Sequence, residues 1–102
     1  KETGDVLHVF EHPENGLHPD LQRDLGERLA SLSAERHVVV ETHSEHLIEG
    51  ARRKLVKDDR KNDFLACCLG RIRGRDGKPG IASREVTLDS HGFLDGPCLS
   101  FD

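Results

Sequence analysis

Apolar and polar residues alternate along this chain in blocks whose spacing changes with position. Val6 to Phe10 is a short, mostly apolar run that predicts a buried strand. Glu11 to Leu17 holds Pro, Asn and Gly and reads as a loop. Pro19 suits the first turn of a helix, where its missing N–H is not needed. Leu21, Leu25, Leu29 and Leu32 then recur at helical spacing with charges between them, and Arg36 and His37 close that segment. Val38-Val39-Val40 is β-branched throughout and predicts a second strand, covered on both faces as in a parallel sheet. Ser44 can cap a second helix whose apolar face is Leu47, Ile48, Ala51, Leu55 and Val56. The order strand, helix, strand, helix implies a right-handed crossover between parallel strands.

The pattern changes near Lys57. The stretch KDDRKND is a charged connector, Phe64 to Ile72 is strand-like, and GRDGKPG (Gly74 to Gly80) is rich in turn residues. Glu85 to Asp89 alternates polar and apolar residues. The last third therefore reads as a β-hairpin with one half-solvated face. The expected organisation is an α/β unit over residues 1–57 and a β-rich extension over 58–102.

Composition narrows the partners and the setting. With 34% hydrophobic and 33% charged residues and a mean hydropathy of -0.60, a chain of 102 residues is polar for an independent globule. It contains no methionine and enters a strand almost at once, so we expect a portion of a longer protein. The net charge of -4 and the absence of a sustained basic patch give no compositional case for nucleic-acid binding. Three cysteines, two of them adjacent, predict reduced thiols and a cytoplasmic protein rather than a disulfide framework. No run approaches a membrane span, and no membrane partner is expected.

In a parallel sheet the loops that follow strands gather at the carboxyl edge, where α/β proteins bind ligands. Two such loops carry chemistry here: Glu11-His12-Pro13-Glu14-Asn15 and Glu41-Thr42-His43-Ser44. With neighbouring strands, Glu11 and His43 would face one crevice. An acid at a strand end can hold Mg²⁺ through water while phosphates supply other ligands. A loop histidine can donate to a phosphate oxygen. The same residues also serve elsewhere as helix caps, turn residues or solvated side chains.

The segments VLHVFEHPENGLHPDLQ and HVVVETHSEHLIEGARRKL together resemble the C-terminal half of ABC-type ATPases of the OLD-like group, relatives of the SMC and DNA-repair ATPases. The resemblance spans residues 5 to about 56. A weaker likeness links REVTLDSHGFLD to the short β-rich extension of some of these enzymes. The fold implied is part of a P-loop NTPase, with a parallel sheet, flanking helices and a β-hairpin extension. The resemblance places Glu11 on the Walker B acid that orients the Mg²⁺ of ATP, and His12 where active members carry a catalytic glutamate. Asn15, Gly16, Leu17 and His18 fall on a loop that crosses a dimer interface, and His43 on the switch histidine that contacts the γ-phosphate. ATP and Mg²⁺ are the implied cofactors. A homodimer, the remaining N-terminal ATPase portion, and a nuclease or DNA partner in antiphage or DNA-related work are the implied partners.

Three departures qualify that likeness. Position 12 is an imidazole, which can act as a base when neutral but differs in charge and geometry from a carboxylate. No G-x-x-x-x-G-K-S/T loop occurs, and in GRDGKPG Pro79 stands where Ser or Thr is needed. The ABC signature segment is also missing, so the chain alone is not expected to hydrolyse ATP. The alternative is a non-catalytic, ATPase-like interaction module. His8, His12, His18, His37, His43, His46 and His91 show no tight metal-ligand spacing, and Cys67-Cys68 is not C-x-x-C. Arg52-Arg53-Lys54 on the second helix could touch DNA phosphates, but a run of this kind more often forms a solvated helix face, and Cys98 has no base partner in the sequence.

Overall fold

The computed structural model describes residues 6–96. It divides into two compact units, Lys1–Lys61 and Asn62–Asp102. Cys98 lies outside the described residues. In the first unit, strand β1 (Leu7–Glu11) pairs in parallel with β2 (His37–Glu41), with Leu7 opposite His37 and Glu11 opposite Glu41. Helix α1 (Pro19–Leu32) connects them, and α2 (Glu45–Lys57) follows β2. The parallel α/β order is as the sequence predicts.

Both helices begin where local chemistry says they should. Pro19 is in the first turn of α1, and the His18 side chain caps it, its Nδ1 accepting from the Asp20 N–H at 3.2 Å. Ser44 caps α2, its Oγ accepting from the Leu47 N–H at 3.0 Å. Glu45 in the first turn of α2 and Lys54 and Lys57 in the last complement its dipole.

The helices pack mainly on each other, and glycine sets how closely. Gly26, Leu29 and Ala30 of α1 are buried, as are Leu47, Gly50 and Leu55 of α2. A Cβ added at Gly26 would lie 2.0 Å from the Leu47 carbonyl oxygen, and one at Gly50 would lie 2.0 Å from that of Arg23. Backbone therefore meets backbone, and Leu29, Leu47 and Leu55 fill the flanks, each contributing about 1.5–3 kcal/mol by burial. Arg23 Nε donates to Glu49 Oε1 across the helix pair at 2.7 Å. Arg60 reaches back to the end of α1, donating to the Ala30 carbonyl at 3.2 Å and the Ser33 hydroxyl at 3.1 Å.

The leucine stripe and the apolar face of α2 need correction at their ends: Leu21 is 52% exposed and Val56 41%. Gly26 and Gly50 take the closest positions, because a tight crossing leaves no room for leucine. The double coverage expected of β2 is also not found. His8, Phe10, Val38 and Val40 are half-buried, whereas Leu7, Val9 and Val39 are exposed on the opposite face of a two-stranded sheet. β-branched composition reports a preference for sheet, not how many layers cover it.

In the second unit, β3 (Ala66–Arg73) and β4 (Pro79–Val86) form an antiparallel hairpin, from Ala66 opposite Val86 to Arg73 opposite Pro79. A short 3₁₀ turn, Lys61–Asp63, precedes it. The second arm thus starts at Pro79, earlier than the alternation at Glu85 to Asp89 suggests. Gly77, with φ +78°, allows the connecting turn. Val86 is the most buried described side chain, and a bridge from Leu88 to Leu94 closes the following loop. The Asp89 carboxylate accepts the Phe93 and His91 N–H groups, which hold its pKa below the ordinary value. Cys67 is a free, exposed thiol, but Cys68 is disulfide-bonded, which corrects the expectation of three reduced thiols. Adjacent strand residues point to opposite faces, so the two sulfurs meet different surroundings. Among the described residues no helix is long and apolar enough to cross a membrane.

Candidate functional site

Parallel pairing brings the ends of β1 and β2 side by side, and with them the two loops. The His12 N–H donates to the Glu41 carbonyl at 2.7 Å, extending the ladder one residue past β1. At that point His12 adopts φ +45°, a left-handed conformation that non-glycine residues seldom take. The chain then turns through Glu14 and Gly16, the latter at φ +82°, before entering α1.

This turn places the His12 ring on the His43 ring, with centroids 5.0 Å apart and planes 15° from parallel. Carboxylates flank His12 on two sides. Its Nδ1 lies 3.9 Å from Glu14 Oε2, and its Nε2 lies 3.4 Å from Glu41 Oε2. At these distances each pairing is an electrostatic contact that operates when His12 carries a proton.

Glu14 is the centre of this arrangement. It is 6% exposed, and its Oε2 accepts the His43 N–H at 3.3 Å. Burial pushes its carboxyl pKa up. The opposing effects are larger together: the backbone N–H of Glu14, the Thr42 hydroxyl, the His43 N–H and the neighbouring His12 hold it below the ordinary range. The group is therefore a buried carboxylate at neutral pH. Its Oε1 is buried without a hydrogen-bond partner. Glu14, Gln22, His43, Ser44, Glu45 and His46 line an open depression beside it.

A second set of bonds fixes the two loops to the helices. Gln22 Nε2 donates to the Leu17 carbonyl at 2.9 Å, and the Ser44 hydroxyl donates to Gln22 Oε1 at 2.5 Å. Ser44 Oγ also accepts from Leu47, so one serine joins the α2 cap to α1 and, through Gln22, to the first loop.

Of the residues the sequence singles out, His12 and His43 are in contact, and His43 lines the depression. Glu11 is the last residue of β1 and exposed. It shares strand parity with Leu7 and Val9 and is not among the residues lining the depression. Asn15, Gly16 and His18 are exposed, and Leu17 is half-buried. Sequence reasoning underrated Glu14 and missed Gln22. The proline before Glu14 marks a turn, but its burial depends on where β2 ends.

A parallel strand pair with two polar loops at its carboxyl edge is the ligand-binding geometry of α/β proteins. Residues 1–48 match the family model of an AAA ATPase domain, a span that includes both loops. No match is found among curated proteins or among solved structures. The match supports an ATPase-related function at a coarse level.

Proposed function

We propose that this chain is the C-terminal part of an ABC-type, OLD-like ATPase and supplies one edge of its ATP·Mg²⁺ site. The observation that supports this reading most directly is the contact between His12 and His43 at the ends of two parallel strands, within the segment matched to an ATPase domain. Glu11 is the candidate Mg²⁺ acid. No cluster of three or more metal-ligating side chains exists among the described residues. A single exposed carboxylate, with water and phosphate completing the coordination, fits how Mg²⁺ is held in nucleotide sites. When bound, the metal supplies charge stabilisation on the phosphates.

This chain's own residues then have distinct tasks. Glu14 fixes the backbone of His43 and one side of His12. His12, between Glu14 and Glu41, accepts the proton of an attacking water in the place where relatives carry glutamate. His43 donates to the γ-phosphate. The Asn15–His18 turn faces a second copy in a homodimer. The phosphate-cradling loop, absent from this sequence, comes from an N-terminal ATPase portion. A cytoplasmic, DNA-related or antiphage role, with a nuclease partner, follows from the family likeness.

ATPase assays on the assembly that joins this chain to a phosphate-cradling portion test the reading. Glu11→Gln should lower Mg²⁺-dependent turnover. His43→Ala should lower kcat more than nucleotide affinity, by about 10²–10³-fold if it acts as a preorganised donor. Unchanged turnover in both variants would remove the site assignment.

A further inference from the structure

The β3–β4 hairpin differs in charge from the rest of the molecule. Residues 66–86 carry Arg71, Arg73, Arg75, Lys78 and Arg84 against Asp76 and Glu85, a net charge of +3 in a chain whose net charge is -4. Four of the five cations lie in the distal segment 71–78, and every residue from 71 to 80 is exposed. The acid in that segment, Asp76, is engaged in building the turn: its Oδ1 accepts the Lys78 N–H at 3.0 Å. Arg73 Nη1 donates to the Gly77 carbonyl at 2.8 Å, which ties one cation to the same turn. The basic residues of α2 differ, because Arg53 pairs with Glu49 and Lys54 with Asp58.

The pairing register sorts the hairpin into two faces. Cys67, Leu69, Arg71 and Arg73 share one face with Pro79, Ile81, Ser83 and Glu85, and every residue on it is exposed. Leu69 is 57% exposed and Ile81 77%. This face is apolar in its middle and cationic toward the tip. No aromatic residue lies in 66–86. That disfavours a single-strand reader, which stacks bases on aromatic rings, and a membrane-interface hairpin, which is anchored by them. A solubilising role alone would be served equally by acids, which dominate elsewhere in the chain.

We propose that the β3–β4 hairpin is a duplex nucleic-acid ribbon, with Arg71, Arg73, Arg75 and Lys78 neutralising backbone phosphates. Eight-residue strands extend about 26 Å at ~3.3 Å per residue. A two-stranded ribbon of this kind enters a major groove about 12 Å wide. There Leu69 and Ile81 meet thymine methyls while the cations reach the rims. The proposal is independent of the ATPase reading, since it concerns the other unit.

Fluorescence anisotropy of the full chain with a labelled 20-base-pair duplex, at several salt concentrations, tests it. Four phosphate contacts give a slope of about -3.6 in log affinity against log salt, or roughly 150-fold weaker binding at 200 than at 50 mM. The triple variant Arg71→Gln, Arg75→Gln, Lys78→Gln should reduce that slope to about -0.9. Each single substitution should remove about 0.9, which keeps the test decisive if the triple variant misfolds. Arg53→Gln with Lys54→Gln should leave the slope unchanged. The proposal is overturned if the chain fails to bind duplex at 50 mM salt, or if the hairpin variants keep the wild-type slope. It is equally overturned if the α2 variant abolishes binding, or if the chain binds anionic vesicles or single strands in preference to duplex.

Discussion

Consider Gly26→Ala, a single methyl group added in the middle of α1. Helix propensity alone favours the change by about 1 kcal/mol, since alanine restricts the unfolded chain and glycine does not. The packing opposes it. The new Cβ would stand 2.0 Å from the Leu47 carbonyl oxygen and 2.9 Å from the Ala51 nitrogen, both backbone atoms of α2 that cannot rotate away. Restoring a contact of about 3.3 Å requires the helices to part by more than 1 Å, which forfeits a quarter to half of the dispersion energy along the crossing. Overpacking of this kind costs about 3 kcal/mol or slightly more, so the net loss is about 2 kcal/mol. For a unit of this size that lowers Tm by roughly 8–16 °C. Gly50→Ala should behave alike, its Cβ meeting the Arg23 carbonyl. The double variant should cost less than the sum, because one separation relieves both clashes. Thermal and urea denaturation followed by circular dichroism measure all three. A rise in Tm for Gly26→Ala would refute the close crossing.

Two further outcomes follow from the loops. Ser44→Ala removes the α2 cap and the link to Gln22, and should destabilise the first unit by about 1–2 kcal/mol, read from the urea midpoint. Glu14 has a folded-state pKa below its ordinary value of 4.5, so its carboxylate stabilises the fold above about pH 4.5, and that contribution disappears as pH falls through the depressed value. Glu14→Gln should therefore lower stability at pH 7 and flatten the acid limb of a pH–stability curve. Glu49 and Asp89, also depressed, titrate alike in both proteins. Parallel acid limbs would show that Glu14 is not held as an ion.

The features legible in the sequence are those written in adjacent residues. Pro19 after His18 marks a helix start, Ser44 before Glu45 marks another, and three valines mark a strand. The pairing of the two loops was legible as well, because parallel strands bring their carboxyl ends together. What the sequence did not disclose depends on three dimensions. Gly26 and Gly50 look like helix-weakening residues until each is found against the other helix's backbone. Glu14 looks like a surface acid until β2 places His43 over it. The hairpin's basic face was hidden because chain-wide charge averages over it, and only the strand register separates Arg71 and Arg73 from their neighbours.

The β1–β2 pair has a consequence for handling. Its outer face presents Leu7, Val9 and Val39, and among the described residues no third strand pairs with either margin of the sheet. Such a surface is a template for recruiting further strands. In concentrated solution it favours self-association and the binding of hydrophobic dyes such as ANS. If the proposed N-terminal ATPase portion completes the sheet, its co-expression should cover that surface and raise the yield of monodisperse chain.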